Sequence, residues 1–405
     1  MKKGMSILLV LTLFVTLFLP AYAAEDDGTT AQALRFRDDG GFTILHITDL
    51  HKSDADKYED INNVLLRRLA QTQNPDLVVI TGDIAMSGTL EQIKSNIGEI
   101  MTAFGDFGIP VAVVFGNHDS ESGLISREDL MAIYNSYPNS VSVDEGVLLP
   151  GCGTYSIPIL ASAGDALAFN LWMIDSREYD EAGRYGPVTT EQIDWYANKS
   201  NHLKAQNNGV PVPSLMFQHI PVPEVYDALT EVNHWVPYAV RHIYDKSRYF
   251  VLNPENTNAG RLAEYPCPPY YNNGQFDAIT GQGDVLAMFF GHDHTNTFNI
   301  THRGVDLVAT PKANFQGTYG FDYGARVITL NESDTGAYQT RVIPFSSLYT
   351  LRDFCPAALL AAGTKLNAVE FKAMVVVSFY AQLQKIGYFF ATTLVEFVTS
   401  TKLDY

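Results

Sequence analysis

"VLAMFFGHDHTNTF", residues 285–298, decides how this chain is read. An apolar run from Val285 to Phe290, ending in two aromatic residues and a glycine, has the length and composition of a buried strand. Gly291 then releases the chain, and His292, Asp293 and His294 follow at once. Alternation along such a segment sends His292 and His294 to neighbouring places in one pocket. Asp293 then points elsewhere, into support of the loop. One such cluster proves little, because a lone histidine beside a strand is usually a satisfied core or loop residue. The reading depends on whether other strands end the same way.

Four others do. "FTILHIT" (42–48) runs into Asp49 and His51, and "PDLVVIT" (75–81) into Gly82-Asp83. "PVAVVF" (110–115) runs into Gly116-Asn117-His118-Asp119, and "PSLMFQ" (213–218) into His219. Between the early strands lie helical patterns. Leu65, Leu66 and Leu69 share one face over 61–73, with Arg67 and Arg68 turned away; Ile93, Ile97, Ile100 and Phe104 recur over 91–107. Strand–helix–strand alternation predicts right-handed crossovers and a largely parallel sheet. After His294, "VDLVAT", "ARVITL" and "YQTRVI" follow closely, as antiparallel hairpins do. The two halves together predict an α/β fold: a mixed-sheet sandwich with helices outside.

In a parallel α/β sheet, ligand groups gather in loops at the carboxyl ends of strands. Asp49, His51, Asp83, Asn117, His219, His292 and His294 are therefore candidate metal ligands at one edge. Taken singly, Asp83 and Asn117 suit turns, and Asp49 and Asp119 suit helix caps. Their joint order at five strand ends overturns those readings. Imidazole mixed with carboxylate and amide oxygen suits Fe, Zn or Mn, whereas Ca and Mg prefer all-oxygen shells. Seven groups exceed what one tetrahedral ion needs, so two ions sharing a carboxylate is the economical arrangement. His46, His202, His234, His242 and His302 stay outside this set.

Composition narrows the rest. The chain has 405 residues, 46% apolar and 18% charged, as a globular protein does. A net charge of −18 argues against a nucleic-acid scaffold partner, since neutralising phosphates needs clustered Lys and Arg. Bound metal ions can still invert the local field and admit a phosphoester substrate. Lys2-Lys3, the apolar run Ile7 to Leu19 and Ala21-Tyr22-Ala23 predict a signal peptide over 1–23 and a secreted or vacuolar-lumen location. Asn198, Asn299 and Asn331 each begin an N-glycosylation triplet. Cys152, Cys267 and Cys355 are too few for a disulfide framework, and no pairing follows from their spacing.

The ordered set "DLH", "GD", "GNHD", "QHIP" and "GHDH" resembles the calcineurin-like metallophosphoesterases. "GNHDSES", "RYGPVTTEQIDWY" and "HIPVPE" resemble their purple-acid-phosphatase-like branch of plants and fungi. The resemblance covers about Phe42 to Phe345 and implies a two-layer sandwich with a dinuclear site. It implies that Asp49, His51 and His294 hold one metal, that Asn117, His219 and His292 hold the other, and that Asp83 bridges. A hydroxide held between the metals would attack phosphorus in line. His118 would face the leaving group, with Asp119 orienting it as the second catalytic residue. One departure stands out: true purple acid phosphatases carry a metal-bound tyrosine where this chain has Met86, and glycine where it has His51. Tyrosinate–iron colour is not expected, and a di-zinc, iron–zinc or manganese centre fits equally. A phosphomonoesterase is the leading expectation. A phosphodiesterase for nucleotides or lipid headgroups is the alternative, with a non-catalytic metal-binding protein last.

Residues 224–283 are rich in Tyr, Pro and Asn and weakly periodic, which predicts a long insertion near the site. Its Tyr226, Trp235, Tyr238, Tyr270 and Tyr271 could stack on a base. Residues 352–405 form an apolar tail split by Lys385 into pieces shorter than a membrane span. A packed terminal helix is the expectation there, and membrane association the alternative.

Overall fold

The computed structural model describes residues 33–53, 57–85, 88–146, 148–316, 323–349 and 367–399, with 388–399 as backbone only. The expected signal peptide, Met86 and Cys355 lie outside these residues. Two sheets carry the fold. The first contains β1 (Gly41–Ile47), β2 (Leu77–Thr81), β3 (Val111–Val114), β14 (Gly324–Asn331) and β15 (Tyr338–Pro344), in the order β15-β14-β1-β2-β3. β1, β2 and β3 run parallel; β14 and β15 form an antiparallel hairpin beside β1. The second contains β4 (Tyr155–Leu160), β5 (Leu167–Met173), β6 (Ser214–Phe217), β10 (Thr257–Ala259), β11 (Val285–Phe290), β12 (Asn299–His302) and β13 (Val305–Ala309). Its order is β10-β12-β13-β11-β6-β5-β4, with β5, β6, β11 and β13 parallel.

Period-two alternation explains the layers. Phe42 and Ile44 of β1, Leu77 and Val79 of β2, and Ala112 and Val114 of β3 meet Leu171, Leu215, Phe217, Ala287 and Phe289 from the other sheet. The intervening Leu45, Ile47, Val78, Ile80, Val111 and Val113 pack under helices α1 (Glu59–Gln73), α2 (Leu90–Gly105) and α3 (Arg127–Asn135). On the far side, Trp172, Met216, Met288 and Phe290 pack against α4 (Thr190–Gln206) and α5 (Gln275–Gln282). Strands buried on both faces read as continuous apolar runs, which is why they were legible in sequence. The expected sandwich with helices outside is what forms. α2 and α4 start at capping boxes, Thr89 with Gln92 and Thr189 with Gln192.

Between the sheets, at the site end, runs a polar seam. His46 lies fully buried, its Nε2 2.8 Å from Thr81 Oγ1 and its Nδ1 2.9 Å from Thr310 Oγ1. The buried guanidinium of Arg326 donates to Thr310 Oγ1 and to the carbonyls of Thr297 and Ala309. His46 is thus a structural histidine, as expected.

Two regions take a more definite form than local sequence showed. Residues 224–283 are not featureless: β7 (Leu229–Val232), β8 (Val240–Arg241) and β9 (Tyr249–Leu252) make a separate small sheet, β10 extends the second sheet, and α5 closes the segment. Strands of two to four residues with exposed positions leave no periodic trace. Of the tail, residues 352–366 and 400–405 lie outside the described residues, and the rest carries one helix, α6 (Ala368–Thr399), which continues through Lys385, whose exposed side chain does not break it. Ala373, Met374, Val377 and Ala381 are buried, and Tyr380 meets Tyr58 beside α1, so the packed-helix expectation holds. No helix of the described residues is long and apolar enough to cross a membrane. Of the three glycosylation triplets, Asn299 is buried in β12, whereas Asn198 and Asn331 are exposed. Within the fold, the Asn299 triplet is out of reach.

Candidate metal centre

The loops after β1, β2, β3, β6 and β11 converge. Backbone hydrogen bonds lace them together: Asp49 N to Gly82 O, His51 N to Asp83 O, and Gly291 N to His219 O. Close approach explains the glycines. A Cβ at Gly291 would lie 1.9 Å from Thr48 Oγ1, and one at Gly116 would lie 2.2 Å from Asp83 Oδ1. Backbone strain marks the same place. Asp49, His51, Asp83 and His292 all have positive φ, between 43° and 69°. Each such residue costs on the order of 1–3 kcal/mol, a cost tolerated mainly where function needs the geometry.

Two triads result. Asp49, His51 and His294 each offer a ligand atom within 4.8 Å of the others, and so do Asp83, His219 and His292. His51 Nε2 lies 3.0 Å from His294 Nε2, and His292 Nδ1 lies 3.2 Å from His219 Nε2. Asp49 Oδ1 reaches both groups, 3.4 Å from His294 Nε2 and 4.0 Å from His219 Nε2. The "HDH" segment thus splits as predicted, one imidazole to each triad. Asp293 turns away, accepting from Cys267 N and Asn296 Nδ2, while Asn296 Oδ1 takes Ala263 N and Glu264 N. The motif's non-ligand residues clip the 224–283 segment onto the site. Burial, with Glu264 nearby, pushes the Asp293 carboxyl well above its ordinary range, which suits support and not ligation.

Two buried oxygens from two separate motifs have no hydrogen-bond partner: Asp49 Oδ1 and Asn117 Oδ1. Leaving such an atom unpartnered costs about 1–3 kcal/mol, and a cation bound at each position would supply the missing partner. The electrostatics agree. Burial opposes ionisation of Asp49 and Asp83, but His219 and the other imidazoles outweigh it. Asp49 is held well below its ordinary range, and Asp83 is brought to about 2. Burial also opposes a charged His219, yet Asp83 and Asp49 raise it to about 10, while burial and the His219 charge bring His292 to about 3. His219 Nδ1 donates to Thr81 O at 2.6 Å, which directs Nε2 at Asp83 Oδ2, 3.2 Å away. Such a backbone anchor fixes the tautomer of a metal-binding imidazole. The donor set fits two ions.

His118 stands at the open side, its ring 6.1 Å from that of His51. Its expected partner is corrected. Asp119 is buried, and its two oxygens accept from Asp83 N, Ile84 N and Gly116 N, so it braces the Asp83 loop. Glu121, one turn further along "GNHDSE", takes His118 Nδ1 instead. A carboxylate buried against three amides is committed to the loop and not to a side chain at the surface. Sequence reading missed Glu121, and it missed Tyr179, whose hydroxyl accepts from Asn117 Nδ2 at 3.0 Å. It also gave no place to Tyr185, whose ring meets His292 edge-on at 4.5 Å. No spacing rule in the sequence ties these residues to a metal ligand.

Comparison with known proteins agrees with this geometry. Residues 42–296 match the Calcineurin-like phosphoesterase family. "Probable inactive purple acid phosphatase 28" of Arabidopsis thaliana is 31% identical, over 67% of this chain and 70% of that protein. "Probable inactive purple acid phosphatase 14" of the same plant is 29% identical, over 81% and 83%. Among solved structures, a dimetal phosphatase from Danio rerio covers 74% of this chain and 98% of its own, at 14% identity and a TM-score of 0.44. With its five motifs at one edge of an αββα sandwich, this chain belongs to the calcineurin-like phosphoesterase family.

Proposed function

We propose that the protein is a secreted dinuclear-metal phosphomonoesterase. The observation that carries this is that six of the seven expected ligands fall in two adjoining triads, with His118 beside them. Bound there, two ions would supply a nucleophile at neutral pH and a clamp for phosphoryl oxygens. Asp49, His51 and His294 would hold the first; Asn117, His219 and His292 the second, with Asp83 between them. The chain's own part is positional. His118, its Nδ1 engaged by Glu121, presents Nε2 to the leaving group and gives it a proton. A location in the secretory or vacuolar lumen rests on residues 1–23.

The word "inactive" in the plant relatives' names supports a non-catalytic reading, whereas the intact ligand set and His118 support hydrolysis. Support for a nucleotide diester is weakened. Tyr226 is buried and donates to Pro266 O, which withdraws one of the five aromatics, while Trp235, Tyr238, Tyr270 and Tyr271 stay exposed, the last two with Arg184 4.1 and 4.8 Å from their rings. Purified protein should contain two ions of Fe, Zn or Mn by elemental analysis and should cleave p-nitrophenyl phosphate in preference to bis-p-nitrophenyl phosphate. Silence on both esters after reconstitution with each metal would return the protein to the non-catalytic class. Preference for the diester would make it a phosphodiesterase.

A further inference from the structure

Residues 178–186 form a hairpin over the second triad. Asp180 N donates to Arg184 O and Gly186 N to Glu178 O, Tyr179 and Tyr185 bridge antiparallel, and the Arg184–Asp180 ion pair closes the turn. Both ends are tethered. Glu178 accepts from Ser120 Oγ and Arg127 Nε, while Tyr270 N donates to Tyr185 O and Arg184 lies over Tyr270. The hairpin's two tyrosines stack on each other, with centroids 5.5 Å apart at 25°. Each also touches a different ligand of the same metal position: Tyr179 through the Asn117 amide, Tyr185 through the His292 ring.

Asn117 is fully buried, its Nδ2 bonded to the Tyr179 hydroxyl and its Oδ1 without a partner. An amide can present either end to a cation, and only the oxygen binds one. We propose that the hairpin is a positioning device for the second metal, in which Tyr179 holds the Asn117 amide with its carbonyl oxygen facing the ion. This rests on the dinuclear reading above. Without the hydroxyl, Nδ2 loses its partner and the amide is free to turn. Tyr185 restrains the other movable ligand by packing against His292. The third, His219, is already fixed by a backbone carbonyl and needs no such help. Partners of this kind typically govern ~10–100-fold of metal affinity.

The test is Zn²⁺ titration calorimetry on the metal-stripped full chain, comparing the parent with Tyr179→Phe, which keeps the ring and its stacking on Tyr185. Two binding events are expected in the parent, the first and second named for the metal positions and not for the order in which they fill. In the variant, the second should weaken about tenfold or more with the first unchanged, and the melting temperature of the metal-free protein should not move. Cobalt substitution should show the altered environment as a changed visible spectrum for the second ion alone. Replacing Asn117 by Asp gives the chain an oxygen at both ends of that group. In an Asn117→Asp background, Tyr179→Phe should therefore no longer weaken the second event. Equal affinities in parent and Tyr179→Phe would overturn the proposal and leave the dinuclear reading standing. Uniform weakening of both ions, or a Tyr179 effect that persists beside Asn117→Asp, would also overturn it. A parent that takes up fewer than two ions would remove the dinuclear reading and this proposal together.

Discussion

The two triads use the same chemistry in different surroundings. In the first, Asp49 is fully buried, but the His51 side chain is 13% exposed and the His294 side chain 38%. Asp83 and His219 are closed off from solvent, with His292 under Tyr185 and Asn117 under Tyr179. Backbone strain marks both positions, and the second adds outer partners: Thr81 O, the tyrosine hairpin and the Asp119 brace. An open site exchanges its ion with the medium readily, while a dry, braced one retains it. The first position should accordingly be the labile one, and the second the anchor.

The most drastic way to break this contrast is to remove the group between the positions. Asp83→Ala should lose both ions by elemental analysis; two tightly held ions in that variant would refute the bridging role. Next come the selective changes. His219→Ala should empty the anchor and His294→Ala the labile position, so chelator dialysis should strip the remaining ion faster from His219→Ala. Equal stripping rates would erase the distinction between the two positions.

Within "GNHDSE" the contrast is between chemistry and scaffold. His118→Ala should keep both ions yet lower kcat by roughly 10²–10⁴, and loss of metal instead would move His118 among the ligands. Asp119→Ala should act the other way, loosening the Asp83 and Gly116 amides and lowering thermal stability together with metal retention. A variant that lost only kcat would return Asp119 to the catalytic role expected from resemblance.

The smallest effect lies in the seam behind both triads. Burial holds His46 at about 3, whereas in the unfolded chain it titrates near 6.5. The unfolded state takes up a proton that the folded state refuses, so this contribution is intact above pH 6.5 and is lost progressively down to about 3. The slope is ~1.4 kcal/mol per pH unit. Urea unfolding of metal-stripped protein should lose stability from pH 6.5 to 5 less steeply in His46→Asn than in the parent. Parallel curves would show that His46 takes its proton inside the fold.

Much of this was legible from the chain alone, because the strands that carry the ligands are buried on both faces and each stops at a ligand. Apolar runs such as 77–81 and 285–290 can be little else, and their sudden endings in Gly-Asp or Gly-His name the site. α1 and α2 announced themselves by periodicity for the same reason, one face each against the first sheet. Alternation brought His292 and His294 to one pocket, and the resemblance assigned them to different metal positions.

Folding decided the rest. Glu121 displaced Asp119 as the partner of His118 because backbone amides 35 and 36 positions away had already claimed the nearer carboxylate. Tyr179 and Tyr185 became guardians of one metal position only when a hairpin from beyond β5 was pinned between Arg127 and Tyr270. Of the short strands of 224–283, β10 took shape by adding to an edge of the second sheet and β7, β8 and β9 by pairing with one another, partners that local sequence does not encode. Local sequence sets which groups end a strand, through burial and period. Which of them share a hydrogen bond is set by through-space competition among segments that meet only in the finished fold.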